Sequence, residues 1–196
     1  MPVSSFLIFP PSIFIVIPMA GREHRLLDKK DIERILNRMT FQILEKNQGC
    51  ERLSLIGIRT RGIFLANRVR QRIKEVENRD LEVGILDITL YRDDIFKLKV
   101  PEVRKTEIPF DVNNNIIVLF DDVIHTGRTV RAAMDAIMDL GRPKKIQLAV
   151  LVDRDERELP ISPDYVGLFH QVRTEEEILV RLEEIDGLDA VLIREP

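Results

Sequence analysis

The chain has 196 residues, 44% apolar and 32% charged, which is enough for one substantial core and too few for two average domains. That composition excludes a disordered or collagen-like chain, and a net charge of −3 gives no global case for nucleic acid, so such binding would need a local basic face. The single cysteine, Cys50, cannot form an intramolecular disulfide, and no Cys/His cluster has metal-ligand spacing, which fits a reducing cytoplasm without structural zinc.

Residues 1–18, MPVSSFLIFPPSIFIVIP, are almost wholly apolar, but Pro10, Pro11 and Pro18 interrupt them and no Lys or Arg precedes them. Such a short, broken run cannot span a bilayer as a helix, and it lacks the basic start and cleavage site of a secretory signal. The expectation is an apolar extension outside the fold, from a misplaced start codon or a disordered tail, with a single domain over 19–196 and no membrane association.

Asp28, with Asp31 three residues on, is a plausible helix N-cap, and Ile32, Ile35, Leu36, Met39, Ile43 and Leu44 follow at helical spacing until Gly49. Leu53 to Ile58 is a short apolar strand, and after Thr60-Arg61-Gly62 the residues Ile63, Leu65, Ala66, Val69 and Ile73 mark a second helix. Leu81 to Tyr91 is β-rich. The charged stretch Arg92 to Glu107 reads as an exposed mobile loop, and Asn113 to Asn115 as a turn. Ile116 to Phe120 predicts a buried strand, Arg128 to Leu140 a helix closed by Gly141, and Ile146 to Val152 another buried strand. The tail offers strands near Tyr165–Phe169, Ile178–Leu182 and Ala190–Ile193, with a turn at Asp186-Gly187. Alternating strands and helices predict an α/β fold with a parallel sheet covered on both faces.

The chemistry concentrates where the strand at 116–120 is expected to end. IIVLFDDVIHTGRTV places Asp121 and Asp122 at the C-terminal end of a buried strand, where open α/β sheets bind ligands. The following Thr126-Gly127-Arg128-Thr129 opens a helix whose free amides and hydroxyls suit a phosphate. Carboxylates beside an anion site repel it unless they face hydroxyl donors or a cation, which suggests ribose and hydrated Mg2+.

VLFDDVIHTGRT resembles the signature of type I phosphoribosyltransferases, enzymes that bind 5-phosphoribosyl 1-diphosphate (PRPP). More narrowly, Gly57 to Gly62 (GIRTRG), Asp87 to Asp94 (DITLYRDD), Gly141-Arg142-Pro143 and Leu148 to Ile161 (LAVLVDRDERELPI) resemble the PyrR family. Its members are pyrimidine operon attenuation regulators and also uracil phosphoribosyltransferases, and the likeness runs from about residue 24 to 193. It implies the type I fold: a central parallel sheet with flanking helices, a flexible loop over the active site and a small hood for the base.

The resemblance also implies roles. PRPP would be bound by Ile117, Val118, Leu119, Phe120, Asp121, Asp122, Val123, Ile124, His125, Thr126, Gly127, Arg128 and Thr129, with diphosphate on the loop Thr60-Arg61-Gly62. Asp121, Asp122 and Arg92 would carry catalysis, Arg92 from the flexible loop, and Arg154 would lie near the base, unless it simply pairs with Asp153 or Glu158. Mg2+ would arrive with PRPP, and no protein side chain is assigned as its direct ligand. His125 stands where relatives commonly carry Tyr.

For RNA, Arg34, Arg38, Thr60 and Arg157 match the family pattern. Asn37 and Phe41 replace Thr and His, Glu156 replaces the His of DRGHRELPI, and Leu168 replaces a Lys. Each lost cation removes phosphate attraction. The leading expectation is a cytoplasmic enzyme, a homodimer or homotetramer, that makes UMP from uracil and PRPP, with inherited but weakened binding to a pyrimidine-operon mRNA leader. The alternatives are an RNA-binding attenuator that uses the PRPP site as a nucleotide sensor with little turnover, and a phosphoribosyltransferase for another base.

Overall fold

The apolar runs of the sequence pair side by side in a computed structural model, which describes residues 23–93, 105–171 and 176–195. Strands β2 (Leu53–Ile58), β3 (Val83–Leu86), β4 (Ile116–Ile124), β5 (Lys145–Asp153) and β6 (Tyr165–Phe169) form one parallel sheet in the order β3-β2-β4-β5-β6. Their side chains alternate between two apolar faces, the pattern of a sheet buried on both sides. Leu55, Val118, Phe120, Ala149 and Leu151 pack with helices α1 (Lys29–Asn47) and α2 (Arg61–Glu77). Ile56, Ile58, Ile117, Leu119, Leu148 and Val150 pack with Val130, Ala133 and Ile137 of helix α3 (Arg128–Leu140). Truncating one of these fully buried Leu or Ile side chains to Ala costs about 2–5 kcal/mol.

A second sheet makes the hood. Strands β1 (Glu23–Leu27), β7 (Glu177–Arg181) and β8 (Ala190–Arg194) are antiparallel in the order β1-β8-β7, with the one-turn helix α4 (Glu183–Asp186) between β7 and β8. Charge holds it to α2. Arg68 grips Glu184 at 2.7 and 2.9 Å and Asp189 at 2.7 and 3.0 Å, and its side chain is 16% exposed.

Helix α1 starts at the expected cap: Asp31 N–H donates to the Asp28 carboxylate at 2.9 Å, and Asp28 N–H donates to Asp31 at 3.2 Å. Its left-handed end falls on Gln48 (φ 56°), one residue before Gly49. The stretch 81–91 yields only the short β3, because the Asp87 carboxylate accepts from the N–H and Oγ1 of Thr89 and folds Thr89–Tyr91 into a 3-10 turn. Residues 94–104 of the expected loop lie outside the described residues, as do residues 1–18. Glu107, at its end, is a bridge and not loop, exchanging backbone hydrogen bonds with Ile85. Asp186 ends α4, and Gly187 closes it with a positive φ. Among the described residues, no helix is long and apolar enough to cross a membrane.

Candidate active site

Strand β4 runs four residues beyond its expected end at Phe120. β2 leaves it at Phe120, but β5 pairs with it as far as Ile124, opposite Asp153, so the strand continues with one neighbour. Asp121 and Asp122 therefore sit within β4 where its β2 side has opened. There each carboxylate accepts from the next backbone amide, Asp121 from Asp122 N–H and Asp122 from Val123 N–H, both at 3.0 Å. Ile117 to Phe120 are buried core side chains, so they scaffold the site.

Burial pushes the Asp121 carboxyl well above the usual carboxylate range, and the neighbouring Asp122 charge adds to this. Asp122 is raised too, by burial, although the Asp121 hydrogen bond and the Arg61 charge pull it down. Two adjacent carboxyls that are uncomfortable when ionised together form a site that hydroxyl donors or a cation would relieve.

Two backbone turns flank this dyad. His125, Thr126 and Gly127 lead into α3, whose N-cap Gly127 has φ 88° and supplies no side-chain cap. The first amides of the helix are thus left to an external acceptor. The Arg128 amide makes only a long contact with Thr126 Oγ1, at 3.4 Å. The Arg128 side chain turns aside to Glu158 at 2.6 Å and to Asp93, while Thr129 is half-buried. On the other flank, Thr60-Arg61-Gly62 is the first turn of α2, following a cis Arg59–Thr60 peptide. Gly62 packs on β4 with no room for a side chain: a Cβ would lie 2.2 Å from the Phe120 carbonyl oxygen.

Among the described residues, the buried side-chain nitrogens without a hydrogen-bond partner are Nε of Arg59, Arg61 and Arg154. All three belong to residues just past the C-terminal ends of β2 and β5. Arg61 otherwise reaches Asp186 in the hood at 3.1 and 3.2 Å, and Arg59 reaches the Lys105 carbonyl at 3.0 Å. Arg154 pairs with Glu156 at 3.6 Å, not with either partner considered from sequence. Asp153 is taken by Arg157 and Glu158 by Arg128.

Arg92 is exposed directly after the 3-10 turn, next to Asp93. Arg34 is exposed, with a weak pair to Asp31 at 3.4 Å. Arg38 donates to the Val166 and Gly167 carbonyls at 3.1 and 2.7 Å. Arg157 is largely buried, and its guanidinium is occupied by acceptors of its own loop and by the His125 carbonyl. Sequence reasoning passed over Arg68, Asp189 and Glu184, since nothing local marks partners 116 and 121 residues apart. A cleft of about 670 Å³ lies elsewhere, along α2 at Arg70, Lys74 and Asp80. It holds solvated ion pairs that keep the Asp80 carboxyl at about 2, and no buried orphan group points to a ligand there. Among the described residues no cluster of three or more His, Cys, Asp or Glu is placed to hold a metal.

A buried acidic dyad between two helix N-termini, at the carboxyl edge of a parallel sheet with an antiparallel hood, defines a phosphoribosyltransferase. Residues 23–183 match the phosphoribosyl transferase domain. Solved structures share the fold at low identity: a hypoxanthine-guanine phosphoribosyltransferase from Bacillus anthracis (TM-score 0.66, 17% identity, 90% of this chain and 99% of that one) and the hypoxanthine phosphoribosyltransferase of Trypanosoma cruzi (TM-score 0.67, 14% identity, 90% and 93%). Much nearer in sequence are proteins called bifunctional protein PyrR. That of Pelotomaculum thermopropionicum is 58% identical over 90% of this chain and 98% of its own, and that of Clostridioides difficile is 52% identical over 87% and 97%. The chain belongs to the PyrR family of phosphoribosyltransferases.

Proposed function

We propose that the protein transfers the 5-phosphoribosyl group of PRPP to uracil, giving UMP and diphosphate. The observation that carries this is the Asp121–Asp122 dyad, raised by burial and set between the turn at 125–129 and the turn at 60–62. In this reading the 5′-phosphate takes the α3 amides, the ribose hydroxyls donate to the dyad, and the diphosphate lies over the α2 amides and the guanidinium groups of Arg59 and Arg61. The bond from C1 of the ribose to the diphosphate oxygen breaks as uracil N1 bonds to C1. The N1 proton is released, and the diphosphate leaves with the bonding electron pair.

Charge builds on an oxocarbenium-like ribose, so these residues act by orientation and electrostatics and not as nucleophiles. The dyad fits Mg2+ that keeps its waters, because half-buried Asp122 offers oxygen to a hydrated ion and no full ligand cage is present among the described residues. When bound with PRPP, the ion supplies neutralisation of the leaving diphosphate. In this reading Arg154, just past the end of β5 with its buried Nε unpaired, would meet the base. Arg92 would act from the loop, excluding water that could hydrolyse the sugar.

We further read residues 19–196 as one cytoplasmic domain that works as a homodimer or homotetramer, preceded by an extension over 1–18. Family membership and the exposed Arg34 favour a second activity, UMP-responsive binding to a pyrimidine-operon mRNA leader. PRPP-dependent turnover measured across uracil, hypoxanthine, guanine and orotate tests the main reading. Uracil is the expected substrate. Turnover confined to a purine would replace uracil, and absence of turnover with tight RNA binding would leave a sensor.

A further inference from the structure

We propose that Arg157, which the family pattern assigns to RNA, is a positioning residue that aims the amides of the 125–128 turn at the 5′-phosphate. This rests on the phosphoribosyltransferase reading of that turn.

The Arg157 guanidinium has five N–H donors. Nε donates to the Ile161 carbonyl at 3.1 Å, Nη1 to the carbonyls of His125 and Asp155, both at 2.9 Å, and Nη2 to the Asp153 carboxylate at 2.6 Å. A side chain that is 19% exposed and paired with a carboxylate offers little charge to a phosphate chain in solvent.

The bond to His125 matters most. A trans peptide is planar, so the direction of the His125 carbonyl sets the opposite direction of the Thr126 N–H. The next carbonyl is held in the same way: Thr126 accepts from the N–H groups of Glu158 and Leu159 at 3.0 and 3.2 Å. Fixing it orients the Gly127 N–H. Two successive carbonyls of the turn are therefore pinned outward by the loop after β5, and their amides face the other way, where the α3 N-terminus favours an anion. Leu159 and Ile161 lie within reach of a Cβ at Gly127, at 3.5 and 3.6 Å, so the same loop also backs the turn sterically. The guanidinium orients the phosphate seat through the peptide plane without touching ligand.

The test compares wild type, Arg157→Gln and Arg157→Lys for binding of UMP, of uridine and of an attenuator-like RNA hairpin, with amide hydrogen exchange at Thr126–Arg128. Arg157→Gln is expected to weaken UMP about tenfold or more while uridine changes less than about twofold, and to speed exchange in the turn. Arg157→Lys, which keeps the Asp153 pair, recovers part of the loss. Unchanged UMP affinity with loss of RNA binding would overturn the proposal in favour of direct RNA contact. Equal losses of UMP and uridine would reduce Arg157 to a general stabiliser. If wild type binds neither nucleotide, the phosphoribosyltransferase reading fails on its own account, and unchanged exchange in Arg157→Gln would still overturn the positioning role.

Discussion

Gly62 packs its backbone directly on Phe120 beside the dyad: a Cβ at Gly62 would lie 2.2 Å from the Phe120 carbonyl oxygen and 3.4 Å from Asp121 Cα. This contact lets the first turn of α2 sit directly against the strand that carries the carboxylates. Gly62→Ala must push the helix away, because backbone on one side cannot yield as a flexible side chain would. The expected cost is about 1–3 kcal/mol in urea unfolding, with KM for PRPP raised about tenfold or more because the 60–62 turn shifts. Wild-type stability and kinetics in this variant would show that the approach is not needed.

Asp121→Asn and Asp122→Asn should each lower turnover, by about a hundredfold for Asp121, while the fold is kept. An amide presents one acceptor oxygen and two unwanted donors to the ribose hydroxyls. Stability supplies a second signature. Because burial raises the Asp121 carboxyl above its unfolded value, folding favours its protonated form. That contribution is complete below the unfolded pKa near 3.8 and is lost as pH rises through the higher folded value. Asp121→Asn should therefore be more stable than wild type near neutral pH without ligand, and the gap should close toward pH 4. Chemical denaturation at stepped pH decides it.

The sheet and the turn that opens α3 are legible in the sequence because each is a local pattern. Runs such as Ile116–Phe120 and Leu148–Val152 are apolar on both faces, and TGRT after a strand marks a turn into a helix. The missing parts depend on distant partners. β1 presents only Leu27 as a buried side chain, too little for a hydrophobic period, and forms because β8 offers an edge. The end of β4 was misplaced because charge at Asp121 and Asp122 looks like a strand end, whereas β5 continues to pair with it. The carbonyl partners of Arg157 carry no mark in the sequence, so its bonds to Ile161 and His125 emerge only in the structure.

Arg68 grips two hood carboxylates from α2, beside the Arg61–Asp186 pair, and its loss should loosen the hood before the main sheet. Burial pushes the Asp189 carboxyl up, but the Arg68 guanidinium outweighs this and holds it below the usual range; Glu184 is lowered chiefly by its hydrogen bond to Arg68. These carboxylates thus contribute stability that is present above their unfolded values and is lost as pH falls through the lower folded ones. Arg68→Gln leaves Asp189 buried beside a neutral partner, at a cost of about 3 kcal/mol. Hydrogen exchange in β7 and β8 should rise at pH 7 in the variant, and in wild type only below about pH 4. Equal protection of the hood in both at pH 7 would remove Arg68 from this role.

Asp155 and Glu156 both occupy the left-handed region, at φ 65° and 58°, in the segment where the family motif DRGHRELPI has Gly at the first of these positions. A left-handed conformation costs an ordinary L-residue about 1–2 kcal/mol, less for Asp, whereas Gly adopts it freely but loses more entropy on folding. Asp155→Gly is expected to raise stability by about 0.5 kcal/mol, since the Asp155 N–H and carbonyl keep their bonds to Asp153 and Arg157. A fall in the unfolding midpoint would mean that the Asp155 side chain contributes more than its backbone strain removes.

RNA affinity is expected to be weak and only mildly salt-dependent. The expected face retains Arg34 and Arg38, but Arg38 already donates to the Val166 and Gly167 carbonyls, Arg157 is held by its own loop and by the His125 carbonyl, and Glu156 adds a negative charge partly offset by Arg154 at 3.6 Å. Two phosphate contacts to single-stranded RNA give a slope of log K against log salt of only about −1.4. Phe41, 58% exposed on α1, can stack on an unpaired base but adds nothing to that slope. Glu156→His should strengthen binding and steepen the slope by up to about 0.7 at a pH where the imidazole is charged. Titrating an attenuator-like hairpin at several salt concentrations, with and without UMP, measures both quantities. A wild-type slope steeper than about −3, or tight UMP-enhanced binding, would mean that cations outside this face carry the RNA and that the substitutions at Glu156 and Leu168 have cost the protein nothing.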